Sequence, residues 1–206
     1  MKILVLNCGS SSLKFQLINV EREELIAQGL VEKIGTGSAV LSYKPQNKHP
    51  LREVVEIKNH EAALKFVLNS LTDKTVGVLR DIKEINAFGH RVVHGGERFS
   101  GSVLITTEVV NGIRECAEFA PLHNPANLMG IQACSEAVPG IEQVAVFDTA
   151  FHGNIPKHAF LYGLPYAVYE KLKIRRYGFH GTSHRYVSQK AAEILHRDYH
   201  HCKVIT

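Results

Sequence analysis

The chain has 206 residues, 45% of them hydrophobic, enough for a packed core in one large domain or two small ones. Its net charge of +4 comes from 24 basic against 20 acidic residues, without the long basic run or aromatic–basic ladder of a nucleic-acid binder, and suits a small anionic ligand better. No apolar stretch nears the roughly 20 residues of a membrane span and the start lacks a signal peptide's layout; the four cysteines, Cys8, Cys116, Cys134 and Cys202, form no Cys-x-x-Cys pair, so a cytoplasmic chain with reduced thiols is expected.

The first element carries the most information. Ile3 to Leu6 form a short apolar run suited to a buried strand, and Asn7 closes it with an amide. Gly9 permits a tight turn, Ser10, Ser11 and Ser12 offer hydroxyls and backbone N–H groups, and Lys14 adds positive charge, a donor set that suits a phosphate. It is not a Walker loop: no second glycine precedes the lysine, and Leu13, Phe15, Leu17 and Val20 largely alternate, which predicts strand, turn, strand. A serine-rich hairpin with no ligand has the same composition.

Further β-like runs at Leu25–Ile34, Ala39–Tyr43 and Glu53–Ile57 extend an antiparallel group. From Asn59, a cap, the period becomes helical, with Ala63, Phe66, Val67 and Leu71 on one stripe. Ile85–Gly89 reads as a strand and Thr107–Phe119 as a helix. Asn124 before Pro125 reads as cap and first turn of another helix that Pro139-Gly140 ends, and Val144–Phe147 is the next strand. The pattern predicts an α/β domain over residues 1–150, a mixed sheet flanked by helices with its ligand at the strand ends. Residues 151–206 read as the start of a second unit: Phe160–Leu164, a helix near Tyr166–Leu172, another over about Ser183–His196, and Lys203–Thr206 as a new buried strand, so that the chain reads as truncated.

Three further clusters carry chemistry. Gly89 to Gly96 (GHRVVHGG) sets Arg91 between two histidines at a strand end, where its planar donors can engage a carboxylate or a phosphoryl group or form a surface ion pair. Asp148 emerges after the strand Val144–Phe147, in a position for a magnesium ligand, a base or a turn cap. Tyr177 to His184 (YGFHGTSH) forms a loop before a helix with Ser183 as its cap. His180 and His184 lack the glutamate of a His-Glu-x-x-His zinc site, which leaves His180 as a hydrogen-bond donor to a reacting oxygen or as loop structure.

Taken together, Asn7–Lys14, Gly89–Gly95, Phe147–His152 and Tyr177–His184 closely resemble the acetate kinase family, and the four motifs span nearly the whole chain in order. The resemblance implies a ribonuclease-H-like lobe of the actin, sugar kinase and heat-shock ATPase superfamily, followed by the start of a second similar lobe. It implies reversible, magnesium-dependent transfer of the ATP γ-phosphoryl group to acetate, giving acetyl phosphate and ADP, with manganese as an alternative ion. By that likeness Asn7, Ser10, Ser11, Ser12 and Lys14 would lie near the nucleotide phosphates, and Asn7 and Asp148 near the metal. Arg91 would hold carboxylate and phosphoryl, and His180 would stabilise transition-state charge. Val93, Leu122 and Phe179 would wall the methyl pocket, with His123 and His184 in support. Family members run to about twice this length, and the second phosphate loop, the adenine pocket, a second arginine and a metal-binding glutamate fall in the half that cannot be mapped here. A homodimer is implied, and no nucleic-acid or membrane partner. A propionate or other short-chain acyl kinase is the near alternative, and an actin-like nucleotide-dependent assembly module the distant one.

Overall fold

The computed structural model describes residues 1–206. Alternation of apolar and polar residues dictates its first half: β1 (Lys2–Cys8), β2 (Ser12–Asn19), β3 (Glu24–Glu32), β4 (Ala39–Pro45) and β5 (Leu51–Val55) form an antiparallel meander. After α1 (His60–Thr72), the strand β6 (Ala87–Val92) lies parallel to β1 on its other side. β7 (Val103–Leu104), α2 (Thr107–Glu115) and α3 (Asn124–Ala137) follow, and β8 (Glu142–Phe147) runs parallel to β6, giving one eight-stranded sheet in the order β5-β4-β3-β2-β1-β6-β8-β7. α4 (Lys157–Phe160), α5 (Tyr166–Leu172) and α6 (Gly181–Ile194) complete the chain. No helix is long and apolar enough to cross a membrane.

The core lies between the sheet and the pair α1 and α3. Leu4, Leu6 and Cys8, then Leu13, Phe15 and Leu17, then Leu41 and Tyr43 point to that side and are buried with Ala63, Leu64 and Val67 of α1 and Ala133 and Cys134 of α3. The intervening residues Asn7, Lys14, Gln16, Gln28, Ser42 and Lys44 line a groove of about 500 Å³ on the sheet's other face. A smaller cluster of Val92, Phe99, Ile113, Ile131, Ala145 and Phe147 fills the space under α2, with Phe99 and Phe147 stacked at 4.4 Å.

The expected meander, α1 and its Asn59 cap are present, the Asn59 side chain accepting from the Ala62 N–H. Several expectations are corrected. The fifth strand occupies 51–55, because its partners are set by the β4 register rather than by its own apolar residues. The helix from Thr107 ends at Glu115 and tightens into a 3₁₀ turn over Cys116–Glu118. Asn124 is the first helical residue of α3 and does not cap it; its side chain is spent elsewhere. Phe160 is the last residue of a short helical turn, Lys157–Phe160. α6 begins at Gly181, so Ser183 lies inside it, with no cap hydrogen bond. Lys203–Thr206 forms no strand and Ile205 is fully exposed, since no sheet edge reaches it. The two-residue β7, an antiparallel edge on β8, is too short to leave a sequence pattern.

Candidate active site

The carboxyl ends of β1, β6 and β8 meet at the position where open α/β sheets take ligands. Leu6 pairs with His90 and Arg91 pairs with Val146, so Asn7 and Arg91 are neighbours on adjacent strands, and Asp148 follows one residue beyond Phe147. A period of two puts Asn7, Arg91 and Asp148 on the sheet face away from α1 and α3. Lys14, cross-strand partner of Asn7, shares it.

Arg91 Nε lies 3.0 Å from Asp148 Oδ1 and its Nη2 2.6 Å from Oδ2, a bidentate pair whose carboxylate side chain is 4% exposed while the guanidinium is one-third exposed. That pairing raises the Arg91 pKa above its already high ordinary value, so the guanidinium is charged throughout. His180 completes a triangle: its Nδ1 is 3.2 Å from Arg91 Nη2 and 3.6 Å from Asp148 Oδ2. The His180 backbone is left-handed, with φ of 54°, which a non-glycine residue adopts only under constraint. The constraint is visible, since the next N–H, of Gly181, donates to the Asp148 carbonyl at 2.9 Å and so docks the start of α6 on the end of β8.

Beside this triangle opens a cavity of about 580 Å³ that Val93, Leu122, Phe179 and His123 line together with Phe119, Ala120 and Pro121. The last three were not picked out from the sequence: Phe119 reads as the end of the helix from Thr107, and Ala120 and Pro121 as the turn after it. Behind the wall, His94 is buried among the rings of Tyr177, Phe119 and Phe179 at 4.5, 5.1 and 5.5 Å. Burial pulls its pKa down to about 4, and that of His90 likewise, so both rings flanking Arg91 are neutral structural groups. The aromatic loop is tied down by Arg175, which stacks 3.6 Å over Phe160 and reaches Glu97 at 2.6 Å.

Two buried asparagines of α3 hold the strand ends. Asn124 accepts from the His94 N–H and donates to the His94 and Ile113 carbonyls; Asn127 accepts from the Val93 N–H and donates to the Cys8 carbonyl. Thr149 Oγ1 accepts from the Gly95 N–H at 3.0 Å. Neither asparagine was identified from sequence, where Asn124 looked like a cap. His184 stands apart, its Nδ1 2.7 Å from Thr206 Oγ1 and its ring against His152 rather than in the cavity. Ser10 and Ser11 are exposed at the hairpin turn, beyond the Asn7–Lys14 pair. No group of three or more His, Cys, Asp or Glu side chains is arranged to hold a metal ion.

Known proteins share this arrangement. The acetokinase family model matches residues 2–206. An acetate kinase of Desulfitobacterium hafniense is 56% identical over the whole chain, which covers 52% of that protein, and one of Thermotoga maritima is 56% identical, 51% covered. The chain thus spans about half the length of the curated relatives it matches. Among solved structures, Porphyromonas gingivalis acetate kinase superposes with a TM-score of 0.91 at 49% identity, over 96% of this chain and 50% of the other. A Francisella tularensis propionate kinase gives 0.89 at 43%, with 96% and 50% covered. The fold is the actin-like ATPase fold of these kinases, and with the family match extending over residues 2–206, the chain belongs to the acetokinase family.

Proposed function

We propose that this chain supplies the phosphate turn and the acyl pocket of an enzyme that transfers the γ-phosphoryl group of ATP reversibly to acetate, giving acetyl phosphate and ADP. The observation that carries the reading is the Arg91–Asp148–His180 triangle at the mouth of a small, largely apolar cavity. A carboxylate substrate has a pKa of about 4 to 5, so at neutral pH it is already a nucleophile and needs no base. What remains is in-line placement and neutralisation of the phosphoryl oxygens. Arg91 presents its remaining N–H groups to the carboxylate and the phosphoryl, while His180 donates to an equatorial oxygen. Val93, Leu122 and Phe179 take the methyl group, with His123 beside them and His184 in support behind the loop. Asn7, Ser10, Ser11, Ser12 and Lys14 bind the nucleotide phosphates.

The buried Asp148 carboxylate, paired with Arg91 but with lone pairs left on both oxygens, and the Asn7 amide on the same sheet face would fit a magnesium ion that arrives on a nucleotide, because that ion takes one or two carboxylates plus phosphates and keeps its waters. Asp148 and Asn7 would hold it, with manganese as a substitute, and the bound ion neutralises charge on the phosphate oxygens. In this reading residues 1–150 form the first lobe and 151–206 begin the second, within a cytoplasmic homodimer that has no nucleic-acid or membrane partner. The likeness to a propionate kinase favours one second reading, a preference for propionate; a single methylene is worth about 1–3 kcal/mol in such a pocket.

Trapping acyl phosphate as hydroxamate, with ATP, magnesium and acetate, propionate or butyrate, tests both readings on a protein of the relatives' length. Acetate as best substrate is the expected result. Propionate as best substrate selects the second reading, and no product with any acid overturns both, with nucleotide-dependent assembly the next property to measure.

A further inference from the structure

The hairpin turn between β1 and β2 has two consecutive carbonyls that point into the protein, and each meets a side-chain donor from a helix. Asn127 Nδ2 of α3 lies 2.9 Å from the Cys8 oxygen, and His60 Nε2 of α1 lies 2.7 Å from the Gly9 oxygen. A carbonyl only accepts, so His60 carries its proton on Nε2. The ring has little freedom, being buried at the first turn of a helix whose next turns, Ala63, Leu64 and Val67, are core.

The two peptide planes have different fates on their N–H sides. The Gly9 N–H is used within the turn, donating to Ser12 O at 2.8 Å. The Ser10 N–H, on the plane that His60 holds, has no partner in the protein, and Ser10 is exposed. A trans peptide directs its N–H opposite to its C=O, and the chain contains no cis bond. Holding the Gly9 oxygen inward therefore turns the Ser10 N–H outward.

We propose that His60 is a positioning residue for the phosphate turn: by pinning the Gly9 carbonyl it aims the Ser10 N–H at a phosphate oxygen of the bound nucleotide. The inference rests on the nucleotide reading of the turn given above. It assigns His60 no contact with substrate and no proton transfer. A donor fixed before the ligand arrives needs no reorganisation on binding, whereas a turn free to rotate that peptide presents the carbonyl oxygen to the phosphate instead.

Methionine and glutamine are close in shape, and the glutamine Nε2 reaches the position of the histidine Nε2, so the pair His60→Met and His60→Gln isolates the donor. In a protein of the relatives' length, MgATP and MgADP binding is measured by calorimetry beside the KM values for ATP and acetate and the melting temperature. The expected result is a loss of roughly five- to tenfold in nucleotide affinity for His60→Met, the scale of one net hydrogen bond, with recovery in His60→Gln and an unchanged KM for acetate. Unchanged nucleotide affinity in His60→Met, or equal loss in both variants, overturns the proposal while wild-type acyl phosphate formation keeps the kinase reading intact. A wild type that binds no nucleotide overturns both. If His60→Met does not fold, the wild type decides: the Ser10 amide resonance shifts strongly on MgADP addition, and a resonance that stays in place overturns the proposal.

Discussion

The Arg91 guanidinium grips both oxygens of Asp148, with its Nη2 2.6 Å from Oδ2, and turns the same Nη2 toward His180 Nδ1 at 3.2 Å. A long, flexible cation is thereby held by a buried anion, and its cost of ordering is met before any ligand arrives. On the proposed kinase reading, Arg91→Ala in a protein of the relatives' length is expected to lower kcat by roughly 10³ or more, the scale of an arginine that stabilises a transferring phosphoryl group. Arg91→Lys should recover little of it, because an ammonium is a point charge without the planar fork that engages both carboxylate oxygens in parallel and leaves further N–H groups for other partners. Steady-state acyl phosphate kinetics of both variants decide the point, and a loss below tenfold for Arg91→Ala would sink the role.

Close packing of α3 on β1 depends on Gly130. A Cβ there would fall well inside the contact distance of Cys8 Sγ and 3.2 Å from Cys8 Cβ. Alanine is the better helix former by about 1 kcal/mol, yet overpacking costs about 1–3 kcal/mol. We expect Gly130→Ala to be net destabilising, with a lower urea midpoint, and equal or higher stability would show that the helix can shift.

Asn124 is fully buried and takes part in three hydrogen bonds to backbone. Its replacement by alanine strands the His94 N–H in the interior, and we expect a loss of about 2–4 kcal/mol in unfolding free energy, at about 1–3 kcal/mol per orphaned group. Asn124→Asp keeps the acceptor and loses the donors, so chemical denaturation of the two variants separates the two halves of the side chain.

The neutral rings of His90 and His94 make stability pH-dependent. Their pKa values are about 4 in the folded chain against 6.5 ordinarily. The unfolded state therefore takes up more protons between those values, and stability is complete above pH 6.5 and falls as pH drops toward 4. Each ring accounts for up to about 3 kcal/mol by linkage. Unfolding free energies measured from pH 7 to pH 4.5 should show this slope, and His94→Gln should flatten it. A flat wild-type profile would mean that both rings take up their protons in the fold as readily as in the unfolded chain.

Thiol chemistry should be confined to one residue. Cys8, Cys116 and Cys134 are buried and burial pushes their pKa values up, that of Cys8 to about 12, whereas Cys202 is partly exposed. Titration of the native 206-residue chain with an aromatic disulfide should release close to one equivalent, and a Cys202→Ser variant close to none. Fast release of more than one would show that the core opens.

Elements whose signal is local were legible in the sequence. Gly9 and its serines, the Asn59 cap and the Pro125 helix start each act within a few residues, and each lies in the element expected of it. The resemblance named Arg91, Asp148, His180 and the cavity wall. What it could not give is the ion pair between residues 57 positions apart, because that depends on the parallel register of β6 with β8. Asn124 was misread for a physical reason: the residue type that caps a helix is also the one that can satisfy backbone groups of neighbouring segments, and only the approach of the turn after β6 and of α2 tells the two apart. Ser183 failed as a cap because the strained backbone at His180, fixed by its neighbour's bond to Asp148, starts the helix two residues earlier.

The even and odd positions of β1 and β6 divide their labour, one set packed beneath the helices and the other on the opposite face with Asn7 and Arg91. An insertion or deletion of a single residue in either strand exchanges the two sets, so a reading-frame-preserving indel there destroys the interior and the chemistry together. Within those strands, a screen for turnover is therefore also a screen for folding, and variants that survive it will be substitutions rather than changes of length.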